Sequence, residues 1–226
     1  MREPYMYFFF TGLPLHVVYT WILMFALVAV AFLVKRSLRW VPVGGQNVFE
    51  WFFGGMLNFI DNVMGHHGKA YFPLLATLGI FIFTANVMAL IPGFMSPTAN
   101  INTTAACAVT VFLMTHYIGF KTHGFSYLKQ FTGPIWWLAP LMFVVEIIGH
   151  LARPLSLSVR LFGNIFGDDQ VVINFFVLAI LFKWLYLPVV VPSVMLVFAI
   201  FIAFIQTFVF VLLSMIYLAG ALEEHH

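Results

Sequence analysis

Arg160 is a permanently charged residue in the segment 151–170, which lies between two long apolar runs. An arginine at membrane depth costs about 2.5–3.5 kcal/mol on insertion scales. Its guanidinium group has a pKa above about 12, so it cannot lose its charge to avoid that cost. A charge kept at such a depth indicates a functional site, where it can bind an anion or separate two paths for a cation.

Further polar and small residues share the helical face of Arg160. At about 100° per residue, these residues lie within about 40° of it: Glu146, Gly149, Arg153, Ser156, Asn164 and Gly167. Asp168 projects about 80° away and Asp169 about 180° away. Because small residues let helices approach closely, this face fits either tight packing against another helix or the wall of a polar path.

Acidic residues flank Arg160 on both sides along the segment. At about 1.5 Å per residue, Glu146 lies about 21 Å before Arg160 and Asp169 about 13 Å after it. Glu146 and Arg153 are about 10 Å apart by rise, which is too far for a direct ion pair on a straight helix. Asp168 and Asp169 could neutralise Arg160 only through other segments or water. We therefore favour two half-pathways for a small cation, kept apart by the arginine.

The composition indicates a polytopic membrane protein. Of the 226 residues, 63% are hydrophobic and only 8% are charged, whereas an ordinary soluble domain is about 25% charged. The net charge is +2 without a basic run, so nucleic acid is not an expected partner. The single cysteine, Cys107, excludes an intramolecular disulfide, and no Cys/His metal-binding spacing occurs.

Five apolar segments are long enough to cross a membrane, where about 20 residues are needed: 17–34, 72–91, 103–120, 134–181 and 187–222. Lys35, Arg36 and Arg39 follow the first segment, and Lys121 follows the third, which places both ends in the cytoplasm. The N-terminus is then outside and the C-terminus is cytoplasmic. The segment 43–67 has helical apolar spacing with acidic residues between, which is typical of an amphipathic helix that lies on the cytoplasmic surface or forms a shallow hairpin.

The predicted fold is therefore an all-α membrane protein with about five crossings and one cytoplasmic amphipathic helix. We expect a single domain over 1–226, with an N-terminal span (1–42), the amphipathic segment (43–67), two spans (72–120) and a long hairpin (134–222). A fully helical 134–181 would be about 70 Å long, against a hydrocarbon core of about 30 Å. It must tilt steeply, bend or break, and Pro154, Gly163 and Gly167 are candidate bends.

The run RPLSLSVRLFGN at 153–164 resembles the hallmark sequence of subunit a of the F-type ATP synthases, the stator channel of their membrane sector. The match is specific, because the arginine, the Gly-Asn after it and the preceding Pro-x-Ser all coincide. The run 97–103 is similar to the family's external loop, and Gln206 stands at the family's position in the last helix. Residues 216–218 and 223–225 resemble its C-terminus, so the resemblance covers most of 72–226.

The resemblance implies the role of Arg160 and the partners of the chain. In that family the essential arginine faces a rotating ring of hairpin subunits, the c-ring, each with one carboxylate. Arg160 would attract the deprotonated carboxylate and block direct leakage of protons between the half-channels. Peripheral-stalk b subunits and the lipid bilayer of a bacterial inner membrane are the other expected partners. The chain would make no ATP bond itself and would need no cofactor or metal.

The resemblance also implies residues for each half of the pathway. Near Arg160 it places Gln206 and Asn164. The outer half-channel would be lined by Asp168, Asp169, Asn86, Asn100 and Asn102, and the inner one by Glu146 and Arg153. His150 projects about 80° from Arg160, so it could tune the inner path or make a local hydrogen bond. Asp168 and Ala199 stand where some relatives carry a glycine and a histidine. We therefore expect the outer path to depend on carboxylates rather than on imidazole.

Two other classes of function fit parts of the sequence. A stand-alone secondary transporter could use Arg160 to bind an anionic substrate, although such folds often show an internal repeat and none is evident. A membrane-embedded enzyme could use Glu146, His150 and Asp168 or Asp169 as metal ligands, although the clustered spacing of such ligands is missing. Dependence on partner subunits discriminates between these classes, because a stator subunit alone should neither transport nor catalyse.

Overall fold

The computed structural model describes residues 14–38, 44–91, 94–124, 127, 136–181 and 187–222. These residues form six α-helices, and no β-strand occurs among them. The helices are α1 (Leu15–Ser37), α2 (Gly45–Met64), α3 (Phe72–Met88), α4 (Ile101–His123), α5 (Ala139–Leu181) and α6 (Leu187–Leu222). Short 3₁₀ helices at His66–Tyr71, Pro97–Ala99 and Trp136–Leu138 precede α3, α4 and α5.

Five of these helices are long and apolar enough to cross a membrane, which confirms the predicted number of crossings. The candidate spans are His16–Arg36, Gly68–Met88, Ile101–His123, Pro140–Gly167 and Ser193–Leu222. The remaining helix, α2, is the predicted amphipathic segment. An all-helical chain is the expected result in lipid, because each helix satisfies its own backbone hydrogen bonds.

The connection between α3 and α4 is more ordered than the predicted external loop at 97–102. Pro97–Ala99 forms a 3₁₀ turn, and α4 already begins at Ile101, two residues before the predicted start. The cause is a side-chain cap: Asn100 Oδ1 accepts a hydrogen bond from the backbone N–H of Asn102 at 2.9 Å. Such a cap satisfies one of the free N–H groups at a helix start.

The helix α2 is only half covered by the rest of the chain. Its last turns bury Ile60 and Met64 in a cluster with Met215 and Leu218 of α6. Its first turns are exposed, and Trp51 is 79% accessible. The amphipathic pattern therefore directs the C-terminal half of α2 onto the bundle. The helix ends at Gly65, whose φ of 67° is a left-handed conformation that favours glycine.

The core that holds the long hairpin lies between α3, α4, α5 and α6. Leu157 and Leu161 of α5 pack against Val111 of α4 and Phe210 of α6. In lipid, such helices associate through close packing and hydrogen bonds rather than by exclusion of water. The helix α5 continues through Pro154 without interruption. Its 43 residues give a length of about 65 Å, roughly twice the thickness of the hydrocarbon core.

Candidate functional site

Arg160 lies on an exposed face of α5. One turn further along α5, the side-chain amide of Asn164 joins α5 to α6. Asn164 Nδ2 donates a hydrogen bond to Gln206 Oε1 at 2.5 Å. Gln206 is buried, with 3% of its surface accessible, while Arg160 and Asn164 are exposed. Two of the three side chains predicted to surround the ion-exchange point, Asn164 and Gln206, therefore meet between α5 and α6, and Arg160 precedes Asn164 by one helical turn.

The glycines around Arg160 face open space instead of packing inside the chain. A Cβ atom added at Gly149, Gly163 or Gly167 would meet no atom within 4 Å. By contrast, a Cβ at Gly79 of α3 would lie 3.1 Å from Val211 of α6. These three glycines therefore make no close helix contact within the part of the chain that the structure describes, and the choice between the two interpretations of this face stays a prediction. A smooth face of this kind allows a second helix to approach Arg160 closely.

The exposed surface near Arg160 is largely apolar, apart from Ser156 and Asn164 on the same face of α5. Val159 beside it and Phe204 and Ile205 on α6 are 43–57% accessible. Arg160 has no ion pair among the residues that the structure describes. A bare guanidinium on an apolar surface at membrane depth is costly, so this arrangement favours a partner that brings a negative charge to it.

A second polar group lies where α4 ends and α5 begins. His150 is buried, and its Nε2 atom is 3.3 Å from Glu146 Oε1 one turn earlier. The ring of His116 on α4 meets the His150 ring edge to face, with 5.2 Å between centroids. His116 Nδ1 is 3.0 Å from the carbonyl oxygen of Phe112. Because a carbonyl can only accept, His116 Nδ1 donates, and in a neutral ring His116 Nε2 remains an acceptor.

Arg153 and two tyrosines complete this group. The Arg153 guanidinium lies over the Tyr217 ring, 5.5 Å from its centroid, which ties α5 to α6. Tyr127, in the connection after α4, is buried against His116 and Phe120. Burial raises the pKa of the Tyr127 phenol, while the nearby Arg153 charge opposes the rise. The phenol is therefore neutral and a hydrogen-bond donor near neutral pH.

A cavity of about 10 Å³ lies inside this group, between α4, α5 and α6. Its polar lining consists of Thr115, His116, His150, Arg153 and Tyr217. A cavity of this volume has room for about one water molecule, although most of its exposed wall is apolar. The sequence placed Glu146, His150 and Arg153 together on the inner path, and the structure brings all three to one site. His116, Tyr127 and Tyr217 were not expected there, because their approach depends on helices distant in sequence.

A third polar group lies at the opposite end of the bundle, around the Pro97–Ala99 turn. Asn86, Ser96 and Thr98 are each at most 2% accessible. The Ser96 hydroxyl donates to the carbonyl of Ala85 at 2.9 Å and is 2.6 Å from Thr98 Oγ1. Thr98 Oγ1 is in turn 2.8 Å from the side-chain Oδ1 of Asn86. This turn contacts α1, α3, α4 and α5, so it fixes the relative positions of these helices.

The other two asparagines assigned to the outer path differ in their surroundings. Asn100 caps α4, and its Nδ2 atom lies 3.2 Å from His16 Nδ1 at the start of α1. Asn102 is exposed in the first turn of α4. Nearer the middle of the bundle, Thr104 of α4 and Ser158 of α5 lie 3.2 Å apart through their hydroxyl oxygens. Ser158 thus faces α4, on the side of α5 that packs inside the chain.

Two further predictions fall on parts of the chain that are not described. The backbone of α5 includes Asp168 and Asp169, but their side chains lie outside the described residues. The C-terminal residues 223–226 lie outside them as well. Within the described part of the chain, no three His, Cys, Asp or Glu side chains lie close enough to hold a metal ion.

Comparison with known proteins identifies the family of the chain. A model of the ATP synthase A chain family matches residues 17–219. The chain belongs to this family. The match spans all six helices apart from a few residues at the two ends, and it includes Arg160, Asn164 and Gln206. We conclude that the chain is a membrane-embedded member of the ATP synthase A chain family, with five helices that are long and apolar enough to cross a membrane.

Individual bacterial relatives match over nearly the whole chain. ATP synthase subunit a of Geobacter sulfurreducens is 52% identical over 221 residues, which cover 94% of this chain and 93% of that protein. ATP synthase subunit a of Geotalea uraniireducens is 49% identical over 237 positions and covers 100% of both chains. ATP synthase subunit a 1 of Pelobacter propionicus is 53% identical over 210 residues, covering 93% of this chain and 88% of that protein.

Proposed function

We propose that this chain carries protons through two offset half-channels at the interface with the rotating c-ring of an F-type ATP synthase. Proton flow through it would thereby be coupled to ATP synthesis. The observation that carries the proposal is the position of Arg160, which lies on an open, glycine-lined face of α5. Membership of the ATP synthase A chain family supports the same function.

Arg160 acts by its fixed charge. A ring carboxylate that arrives opposite the guanidinium is stabilised in its charged form, so its pKa falls and its proton leaves. The same charge repels a proton that would pass directly from one half-channel to the other. One elementary charge that crosses 100 mV releases about 2.3 kcal/mol. Asn164 and Gln206 hold the two long helices together at the depth where this exchange takes place.

We assign Glu146, His150 and Arg153 to the inner half-channel, together with His116, whose ring contacts that of His150. An imidazole can accept a proton on one nitrogen and release one from the other, which makes the Glu146–His150 pair suitable for proton relay. The Arg153 guanidinium lies over the Tyr217 ring and lines the same cavity as His150, so a fixed positive charge stands next to the proposed relay. With the N-terminus outside and the C-terminus in the cytoplasm, this group lies toward the cytoplasm.

The outer half-channel comprises Asn86, Asn100 and Asn102, together with Asp168 and Asp169. Asn86 and Asn100 lie at the opposite end of the bundle from Glu146, as a pathway offset from the inner one requires. Asp168 and Asp169 follow Arg160 by about 12–13 Å of helix, on the side away from Glu146. Carboxylates at this position can pass protons between the external water and the ring.

The remaining partners follow from this function. The chain is a non-catalytic subunit that works without a cofactor, and the peripheral-stalk b subunits hold it against the torque of the ring. It resides in the lipid bilayer of the bacterial inner membrane as a single polytopic domain. The chain alone transports nothing, whereas a stand-alone transporter with Arg160 as anion-binding residue would work in isolation.

The test is Arg160→Ala in vesicles that hold the assembled complex, with proton-driven ATP synthesis and passive proton leak as readouts. We expect synthesis to be lost, and a leak to appear if Arg160 separates the half-channels. Arg36→Ala is the matched control, because Arg36 lies at the far end of α1 over the ring of Phe32. Normal synthesis by Arg160→Ala would overturn the proposal, provided that the complex assembles in normal amounts.

A further inference from the structure

The hydrogen bonds around Asn86 cannot all be made with its side-chain oxygen toward Thr98. Three contacts form a chain: Ser96 Oγ to Ala85 O at 2.9 Å, Ser96 Oγ to Thr98 Oγ1 at 2.6 Å, and Thr98 Oγ1 to the Asn86 amide at 2.8 Å. Each contact needs one proton. With Oδ1 of Asn86 toward Thr98, the two hydroxyl groups supply only two protons for the three contacts.

The direction of this series of hydrogen bonds is set at Ala85. Its carbonyl can only accept, so the proton of Ser96 is used there. The next backbone donor, the N–H of Ala89, bonds to the carbonyl of Asn86 instead, so Ala85 depends on Ser96. Thr98 must then donate to Ser96, and no proton is left for Asn86. The missing proton can come only from the amide of Asn86 itself.

We infer that Asn86 directs its amide nitrogen toward Thr98 and presents its carbonyl oxygen to the outer proton path, held that way by Thr98 and Ser96. A half-turn of the carboxamide exchanges oxygen and nitrogen with almost no change of shape. In this orientation every hydrogen bond points the same way: Asn86 Nδ2 donates to Thr98, Thr98 donates to Ser96, and Ser96 donates to the carbonyl of Ala85. All three contacts are then satisfied.

The amide atom that faces away from Thr98 is buried and has no hydrogen-bond partner in the described part of the chain. In the inferred orientation this atom is an acceptor. An acceptor binds a water molecule through its hydrogen, or a hydronium ion, whereas an amide N–H₂ group at the same place could bind only an acceptor, such as a water oxygen or an anion. The site therefore suits a proton-bearing donor, and Ser96 and Thr98 are positioning residues that act through Asn86.

This inference rests on the proposed proton path, and the experiment tests the orientation of Asn86 and the proposed function separately. Assembled complexes in vesicles are assayed for ATP synthesis as the proton concentration on the source side is varied. For Ser96→Ala, Thr98 is free to donate to the amide, which can then rotate. We expect at least a threefold higher half-saturating proton concentration and a lower maximal rate. Thr98→Val should act in the same direction, while Ser96→Thr, which keeps the hydroxyl, should restore the normal profile.

Matched controls remove hydroxyl groups elsewhere. Ser214 of α6 is equally buried and donates to the carbonyl of Phe210, and Thr84 of α3 donates to Ile80. Rates are divided by the amount of assembled complex. The inference is wrong if Ser96→Ala and Thr98→Val have the same half-saturating proton concentration and maximal rate as the two control variants, Ser214→Ala and Thr84→Val. In that case the proposed function still stands if Arg160→Ala loses ATP synthesis. If Arg160→Ala synthesises ATP normally, the proposed function and the inference both fail.

Discussion

Asn164 of α5 and Gln206 of α6 are joined by a hydrogen bond of 2.5 Å between their side-chain amides. The two residues are 42 positions apart in the chain, and the bond lies one turn beyond Arg160. The bond joins two long helices close to the fixed charge of Arg160. Gln206 is buried, so the loss of its partner leaves a polar group unsatisfied in an apolar interface.

A double-mutant cycle tests whether this bond supports the function of Arg160. Asn164→Ala and Gln206→Ala should each lower proton-driven ATP synthesis about tenfold, and the double variant should be little worse than either. The expected coupling free energy is about 1–2 kcal/mol, within the range for residues in contact. Asn164→Ala combined with Ser214→Ala is the control cycle, because Ser214 lies two turns away on α6 and should combine additively. Additive losses in both cycles would show that the bond has no functional role.

The sequence predicts much of this arrangement because its signals are local. The spacing of polar residues on α5 places Asn164 on the face of Arg160, and the midpoint of the last apolar run places Gln206 at the same depth. The five spans follow from hydropathy, since the length of an apolar run sets whether it can cross the bilayer. Helix ends were less well predicted, as at α4, where the side chain of Asn100 moves the start to Ile101.

The open face of α5 gives a second prediction at Gly163. Gly163→Ala should leave the chain intact or stabilise it by up to about 1 kcal/mol, because glycine is unfavourable inside a helix and the new Cβ meets nothing. Gly163→Leu should lower ATP synthesis more than tenfold, because its larger side chain would hold the ring away from Arg160. Synthesis per assembled complex is the readout.

The control for Gly163→Leu is Gly220→Leu near the end of α6, where an added Cβ also meets no atom within 4 Å. It adds the same apolar volume far from Arg160 and should leave synthesis within about twofold of normal. Equal behaviour of the two leucine variants would mean that no partner approaches the face of α5 at Gly163.

The edge-to-face contact of His116 with His150 gives a third prediction. His116→Phe keeps an aromatic ring against His150 but removes both nitrogens, so it should lower proton-driven synthesis about tenfold if the pair relays protons. His123→Phe is the control, because His123 lies in the last turn of the same helix. A rate for His116→Phe equal to that of His123→Phe would assign His116 a packing role only.

The residues that sequence reasoning missed all act through contacts that are distant along the chain. His116 looks like an interfacial residue near the end of a span until α5 brings His150 against it. Ser96 and Thr98 lie in a short polar run, and only the folded turn shows that they bond to Ala85 and Asn86 of α3. Helical projection relates residues on one helix, and it carries no information about which faces of two helices meet.

The packing of Tyr127 against α4 gives a prediction about stability. A Cβ atom at Gly119 would overlap the Tyr127 ring, with Cδ2 at 2.7 Å. Gly119→Ala should therefore push the ring out of place and destabilise the fold by about 1–3 kcal/mol, the usual cost of overpacking. The readout is the thermal unfolding temperature of the assembled complex. Gly220→Ala, which adds the same atom in open space, should leave that temperature unchanged or raise it slightly. If Gly119→Ala unfolds at the same temperature as Gly220→Ala, the connection after α4 does not pack against Gly119.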